Sequence, residues 1–317
     1  MENNKANQNP FKRYWEWRNN KKEAERIAYE KMNFKEKVIS WVKTLGGAIV
    51  VVTILNGILI ASFVVPTGSM ENTVMTGEFL FVNKFKYGPS TPQIIPILNI
   101  PLPFYKTPPI WSPKQGDVIV FIYPGDREEV KHEEFMYYLK RCVAVSGDTL
   151  KIVNDSVYVN GVQFHLPPGG KYIDNPTYHD ESYTFPVGKN FTRSNYGPIR
   201  IPKMGDVITL TNDNFNEWNI FIQREGHKVE RNGDDFMIDG VKTNSYIVNR
   251  DYVFGMGDNR NNSLDSRYWG FIPKQDVVGT PMMVYWSWET EDRNGRPLSM
   301  FKKLSKIRWS RLGSIIN

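Results

Sequence analysis

Residues 66–70, "PTGSM", set two hydroxyl groups, Thr67 and Ser69, on a proline–glycine turn directly after a long apolar run. A serine there can act as the nucleophile of an acyl transfer, provided that a neighbouring group takes its proton. Histidine is the usual partner. Here His132, His165, His179 and His227 stand apart, and no G-x-S-x-G surrounds Ser69. The same scatter offers no zinc-ligand spacing, so neither a metal nor another cofactor is expected. A lysine can replace histidine only where burial lowers its pKa from about 10.4 towards neutrality, because an ammonium cannot accept a proton. Residues 135–143, "FMYYLKRCV", offer Lys140 between Leu139 and Arg141 on an apolar, strand-like run. Most lysines on strands point to solvent, and the run alone leaves that alternative open. An S-x-x-K spacing at Ser40–Lys43 falls on the other side of the apolar run and is set aside as chance.

A third stretch, 254–273, "FGMGDNRNNSLDSRYWGFIP", is dense in Gly, Asp, Asn, Arg and Ser. By its residues alone it is a turn-rich segment in which Asp258, Arg260, Asp265 and Arg267 can pair internally, or a ligand-binding loop.

These three stretches need elements to bring them together. Residues 44–65, "TLGGAIVVVTILNGILIASFVV", contain no charge over 22 positions. As a helix at 1.5 Å per residue they would cover about 33 Å, against a hydrocarbon core of roughly 30 Å. A cleavable signal peptide fits less well, since the polar N-terminal region is long and the apolar run exceeds the usual 7–15 residues. The reading is therefore a transmembrane anchor over 44–65 behind a basic segment, 1–43. Lys35, Lys37 and Lys43 precede the apolar stretch, while Glu71 and Glu78 follow it, which puts the N-terminus in the cytoplasm and the rest outside.

Beyond the anchor the chain reads as β. Period-two runs follow turn signals in "QGDVIVFIY", "SGDTLKIV", "DSVYVNGV", "MGDVITL" and "FMIDGVKTNSYIV", with Asn154-Asp155 and Asp239-Gly240 at hairpin-turn positions. Residues 88–113 are proline-dense and apolar, which excludes a helix or central strand and suggests a loop packed on the core or touching lipid. The net charge of +6 concentrates near both ends, and no helix-turn-helix or zinc pattern accompanies it, so nucleic acid is not an expected partner. Cys142 is the only cysteine, which excludes an intramolecular disulfide.

Taken together, "PTGSM", "YYLKRCVAVSGD" and "GDNRNNSLDSRYWGFIP" resemble the nucleophile, lysine and C-terminal boxes of the bacterial type I signal peptidases. "PKQGDVIVFIYP" and "RWSRLGSI" are similar to further segments of that family, in the same order. The resemblance implies a mainly β catalytic domain over 66–150 and 250–317, with 151–249 inserted as a second β domain. It implies Ser69 as nucleophile, Lys140 as general base, and Thr67 with the Ser69 backbone N–H as the oxyanion hole. Ser263 would orient the lysine. Arg141, Asp258, Arg260, Asp265 and Arg267 fall on structural charged positions, and Val65, Met70, Val74, Tyr138 and Leu139 on pocket walls suited to small residues before the cut. The implied activity is cleavage of signal peptides from exported preproteins at the outer face of the cytoplasmic membrane, with preproteins and membrane lipid as partners. Two departures stand out: no proline follows the nucleophile in "SMENTV", and Asn261 replaces the family's common Asp. The alternatives are an inactive membrane-tethered β scaffold, and a self-cleaving Ser/Lys repressor, which would need a DNA-binding domain in place of the anchor.

Overall fold

The computed structural model describes residues 10–91, 94–95, 100–101, 103, 105–172, 183–292 and 295–316. The chain divides into two compact units, Met1–Ile54 and Leu55–Asn317.

In the first unit, helix α1 spans Pro10–Lys31 and helix α2 begins at Phe34. The start of α2 is fixed by a capping box: Glu36 N donates to Asn33 Oδ1 (3.0 Å) and Asn33 N donates to Glu36 Oε2 (2.9 Å). The expected 44–65 helix is corrected at its far end. Helix α2 stops at Ile58, and strand β1 takes Ile60–Val64. The apolar residues Ile60, Phe63 and Val64 suit a strand as well as a helix, and their backbone finds a ladder partner in strand β2, Glu78–Asn83. The uncharged part of α2, 44–58, then covers only about 22 Å at 1.5 Å per residue. Among the described residues, no helix is long and apolar enough to cross a membrane.

The second unit is built on a seven-stranded antiparallel sheet. Its remaining strands are β3 (Val118–Ile122), β4 (Tyr137–Val145), β5 (Tyr252–Met256), β6 (Ile272–Pro273) and β7 (Val277–Ser287). Their order across the sheet is β1-β2-β7-β3-β4-β5-β6. Strand β7 pairs with β3 at Val277–Gly279 and with β2 from Thr280 to Ser287, which curls the sheet. Gly279 permits the crossing: a β-carbon there would lie 2.5 Å from Val82 Cγ1 and 2.7 Å from Asn83 O. Strand β3, "VIVFI", is buried on both faces at its centre, whereas β2, "EFLFVN", alternates buried and half-buried positions.

Residues 149–249 connect β4 to β5. They form a four-stranded sheet over Thr149–Val153, Ser156–Val159, Val162–Phe164 and Tyr196–Arg200, a three-stranded sheet within 229–242, and helix α3 at Phe215–Arg224. Their core is continuous with the sheet, since Leu150, Ile152, Tyr196, Phe221 and Tyr246 cluster with Val143 and Ala144 of β4 and Phe254 and Met256 of β5. Of the proline-rich 88–113 loop, 92–93, 96–99, 102 and 104 lie outside the described residues; Tyr105, Ile110 and Trp111 are exposed.

Candidate active site

Ser69 lies on the loop that joins the two neighbouring strands β1 and β2. The ladder runs one residue past β1, with Val65 N donating to Glu78 O (2.9 Å) and Gly77 N to Val65 O (2.9 Å). The chain then makes a single 3-10 turn at Gly68–Met70. Within the following stretch Asn72 has φ +75°, a conformation closed to proline.

Lys140 sits where β4 changes partners. Strand β4 pairs with β3 over Tyr137–Arg141 but with β5 only from Arg141 onward. Gly255 opposite leaves room, since a β-carbon there would lie 3.1 Å from Lys140 Cβ and 3.0 Å from Ile272 Cδ1. The two sites thus meet across the sheet: Lys140 Nζ lies 2.7 Å from Ser69 Oγ, a hydrogen bond between buried side chains. Lys140 is 4% exposed and Ser69 8%. Burial pulls the lysine down from its ordinary 10.5 to about 8; Asp265 and Asp258 push it back up, and Arg267 adds to the lowering. A substantial neutral fraction near pH 8 follows. Thr67 stands at the mouth, with its Oγ1 donating to Ser69 Oγ over a long 3.4 Å.

The 257–267 segment holds the nucleophile loop from behind. Asn259 N donates to Ser69 O (3.0 Å), and Asn259 Nδ2 to Gly68 O (3.3 Å). Asp258 is fully buried, accepts two bonds from Arg141 (Nε 2.9 Å, Nη2 2.8 Å) and one from Thr73 Oγ1 (2.6 Å). Asp265 accepts Gly257 N (3.1 Å) and pairs with Arg267 Nε and Nη2 (both 2.9 Å). Burial pushes the Asp265 carboxyl up, but the Arg267 charge and hydrogen bonds outweigh it and hold the group below the usual carboxylate range. Internal pairing of the four charges is therefore only half right. Asp265 takes Arg267, whereas Asp258 takes Arg141 of β4, because the strand register sets Arg141 against Met256 beside it. Arg260 is buried, and its Nε and Nη2 bond to no group among the described residues.

Ser263 also departs from expectation. It is buried beside the site, but its Oγ makes no hydrogen bond to Lys140 or to any other described group. It lies against Gly257 instead, where a β-carbon would stand 2.2 Å from Ser263 Oγ and 2.6 Å from Ser69 O. Only glycine fits between these two.

A cleft of about 420 Å³ opens over Ser69 and Lys140, lined by Val65, Met70, Tyr138 and Leu139, and also by Phe63, Leu80, Val120, Met136 and Leu264. Val74 does not line it; it is fully buried in the core cluster that also holds Met70, its N–H bonded to Met70 O (2.8 Å). Sequence reasoning missed Asn259, Thr73 and Gly257. The "GDN" in the third stretch carried the signal, a turn able to offer backbone N–H groups and a close approach. Thr73 carried none. Among the described residues no cluster of His, Cys, Asp and Glu could hold a metal ion.

The family described as "Signal peptidase, peptidase S26" matches residues 38–286. Two proteins named Signal peptidase I from Helicobacter pylori are similar over most of the chain. That of strain J99 is 29% identical over 295 residues, 89% of this chain and 94% of its own length. That of strain 26695 is 30% identical over 291 residues, with the same coverage of 89% and 94%. The Signal peptidase I of Pseudomonas aeruginosa PAO1 is 27% identical over 286 residues, 87% of this chain and 82% of its own length.

Proposed function

The chain belongs to the signal peptidase family, peptidase S26, a family of serine peptidases, and we propose that it removes signal peptides from exported preproteins through a Ser69/Lys140 dyad. The observation that carries this reading is the 2.7 Å contact between Ser69 Oγ and a lysine that burial lowers to about 8. Neutral Lys140 takes the Ser69 proton as Oγ attacks the scissile carbonyl. The tetrahedral oxygen accepts from Ser69 N–H and Thr67 O–H, the amine leaves with the lysine's proton, and Lys140 then activates water to hydrolyse the acyl-enzyme. Asp258 and Arg141, with Asp265, Arg267 and Asn259, keep the two halves of the dyad in register. A substrate can enter as an extended strand, because β1 is an edge of the sheet and β4 is unpaired with β5 over Tyr137–Leu139. The apolar cleft suits small residues before the cut. Detergent-solubilised protein should cut a preprotein at one site after a small residue, as read by electrophoresis and N-terminal sequencing. Ser69→Ala should leave the preprotein whole; cleavage by that variant would refute the dyad.

We further propose membrane attachment, with the 1–43 side in the cytoplasm and residues 66–317 outside. Support comes from the charge-free 44–58 part of α2, the lysines before it and the exposed Val50, Val51, Val52 and Leu55. The C-terminal segment of the second unit exposes Phe301, Leu304, Trp309 and Ile315, interleaved in sequence with Lys302, Lys303 and Lys306. Such a surface suits the headgroup boundary of anionic lipid. A chain beginning at Leu59 should still sediment with anionic vesicles, more weakly in high salt. Complete absence from the vesicle pellet at low salt would remove lipid as a partner of this surface.

A further inference from the structure

Residues 166–172, from the segment between β4 and β5, have no part in the reaction described above, yet they pack as a strap against the segments that carry the site. Lys171 N donates to Asp258 O (2.9 Å) and Arg260 N donates to Lys171 O (2.9 Å), forming a parallel bridge with Asn259. Gly169 lies flush on the nucleophile loop, where a β-carbon would come within 2.9 Å of Thr73 Oγ1. The strap therefore touches both the 257–267 segment and the loop that this segment holds.

The Lys171 side chain reaches further. Its Nζ lies 2.8 Å from Glu71 Oε2, with the two side chains 17% and 39% exposed. Glu71 sits two residues past the nucleophile. Its N–H bonds Gly68 O (3.0 Å), and its Oε2 is 3.5 Å from the place a Gly68 β-carbon would occupy. Gly68 separates Thr67 from Ser69, so the carboxylate stands beside the turn that carries the two donors of the oxyanion hole.

We propose that Lys171 is a positioning residue of the peptidase site, whose ammonium cancels the Glu71 carboxylate beside the forming oxyanion. The proposal rests on the Ser69/Lys140 reading. A half-exposed ion pair contributes little to stability. Its value here lies in what it hides. The substrate carbonyl is neutral when it binds and negative in the transition state, so an uncancelled carboxylate nearby acts on kcat and leaves KM almost unchanged. A unit charge a few ångströms further out than a direct contact, partly screened, lowers the rate on the order of ten-fold.

The test is a double-mutant cycle on the full-length protein with a preprotein substrate. Lys171→Met should lose about ten-fold in kcat at nearly constant KM, and part of the loss should return in high salt, which screens the unmasked charge. Lys171→Arg should stay close to wild type. Adding Glu71→Gln to Lys171→Met should restore kcat to within about three-fold, a recovery that a misfolded strap would not give. A double variant as slow as Lys171→Met, or a Lys171→Met variant as fast as wild type, would overturn the proposal. An active Ser69→Ala control would overturn the dyad and this proposal together; with that control inactive, a flat cycle defeats the proposal alone.

Discussion

Lys140→Arg and Lys140→Met are expected to lose preprotein cleavage alike, by roughly 10⁴-fold or more, since a nucleophile and its base act as one unit. Arginine retains the charge, the length and the capacity to donate to Ser69 Oγ, but it holds its proton at every relevant pH. Electrostatic rescue by a cation is thus excluded by the same variant that tests the base. In the wild type, kcat/KM should rise with pH and level off above about 8, following the neutral fraction of Lys140. The methionine variant adds an independent readout. Lysine is lowered here from 10.5 to about 8, so its surroundings, burial above all, disfavour the charged form by a net of about 3 kcal/mol. The sign follows from proton counts. Below about pH 8 both folded and unfolded chains carry the ammonium, and the full burial cost is present. Between about 8 and 10.5 only the unfolded chain still holds the proton, so wild-type stability climbs across that window. Lys140→Met, lacking the charge, should melt above wild type near pH 7 and lose that advantage towards pH 10. Loss of activity with a raised Tm identifies a removed base. Substantial turnover by Lys140→Arg would end the case for the dyad.

The chemistry of this site was more legible in the sequence than its supports. Ser69 and Lys140 lie far apart in the chain, and no spacing rule connects them; the resemblance of three short boxes did, and the strand register then accounts for the contact. "VIVFI" at 118–122 was readable as a strand behind its Gly-Asp turn signal, but not as a period-two one: its continuous apolar run is buried on both faces at its centre. "IASFV" was not, because hydropathy cannot separate the end of an apolar helix from an apolar edge strand. Only the ladder with β2 decides it. Charge partners were the least legible part. Asp258 stands beside Arg260 in sequence but bonds Arg141 from another strand, and Lys171 finds Glu71 across a gap that no local pattern marks. Val74 shows the limit of carrying a role over by position, for its side chain is buried in the core cluster with Met70 and does not face the cleft. Ser263 shows another. Its hydroxyl is close to the site, but the narrow contact with Gly257 takes the place of a bond to Lys140.

Thr67→Val should lower kcat by about 100- to 1,000-fold, roughly 2.7–4 kcal/mol, with KM nearly unchanged. The competing account is that Thr67 only closes the turn before Gly68. Its geometry speaks against that account. Thr67 precedes the 3-10 turn in extended conformation, φ −133° and ψ 158°, and its side chain makes no capping hydrogen bond to the turn. The hydroxyl instead points to Ser69 Oγ over 3.4 Å, long enough for a weak bond that a stronger acceptor can displace. When Ser69 attacks, the substrate oxygen becomes that acceptor, and the O–H bond to it strengthens as negative charge develops. Valine reproduces the branched shape of threonine without the donor, so packing stays constant while the charge-stabilising bond is lost. Because Thr67 is exposed, the change should leave stability within about 0.5 kcal/mol of wild type, as read by thermal unfolding. Thr67→Ser keeps the donor and should retain most of kcat. The ordering wild type, then serine, then valine by a wide margin is what an oxyanion donor requires. Equal kcat values for the valine variant and the wild type would reduce Thr67 to a turn residue, leaving Ser69 N–H to hold the oxyanion without it.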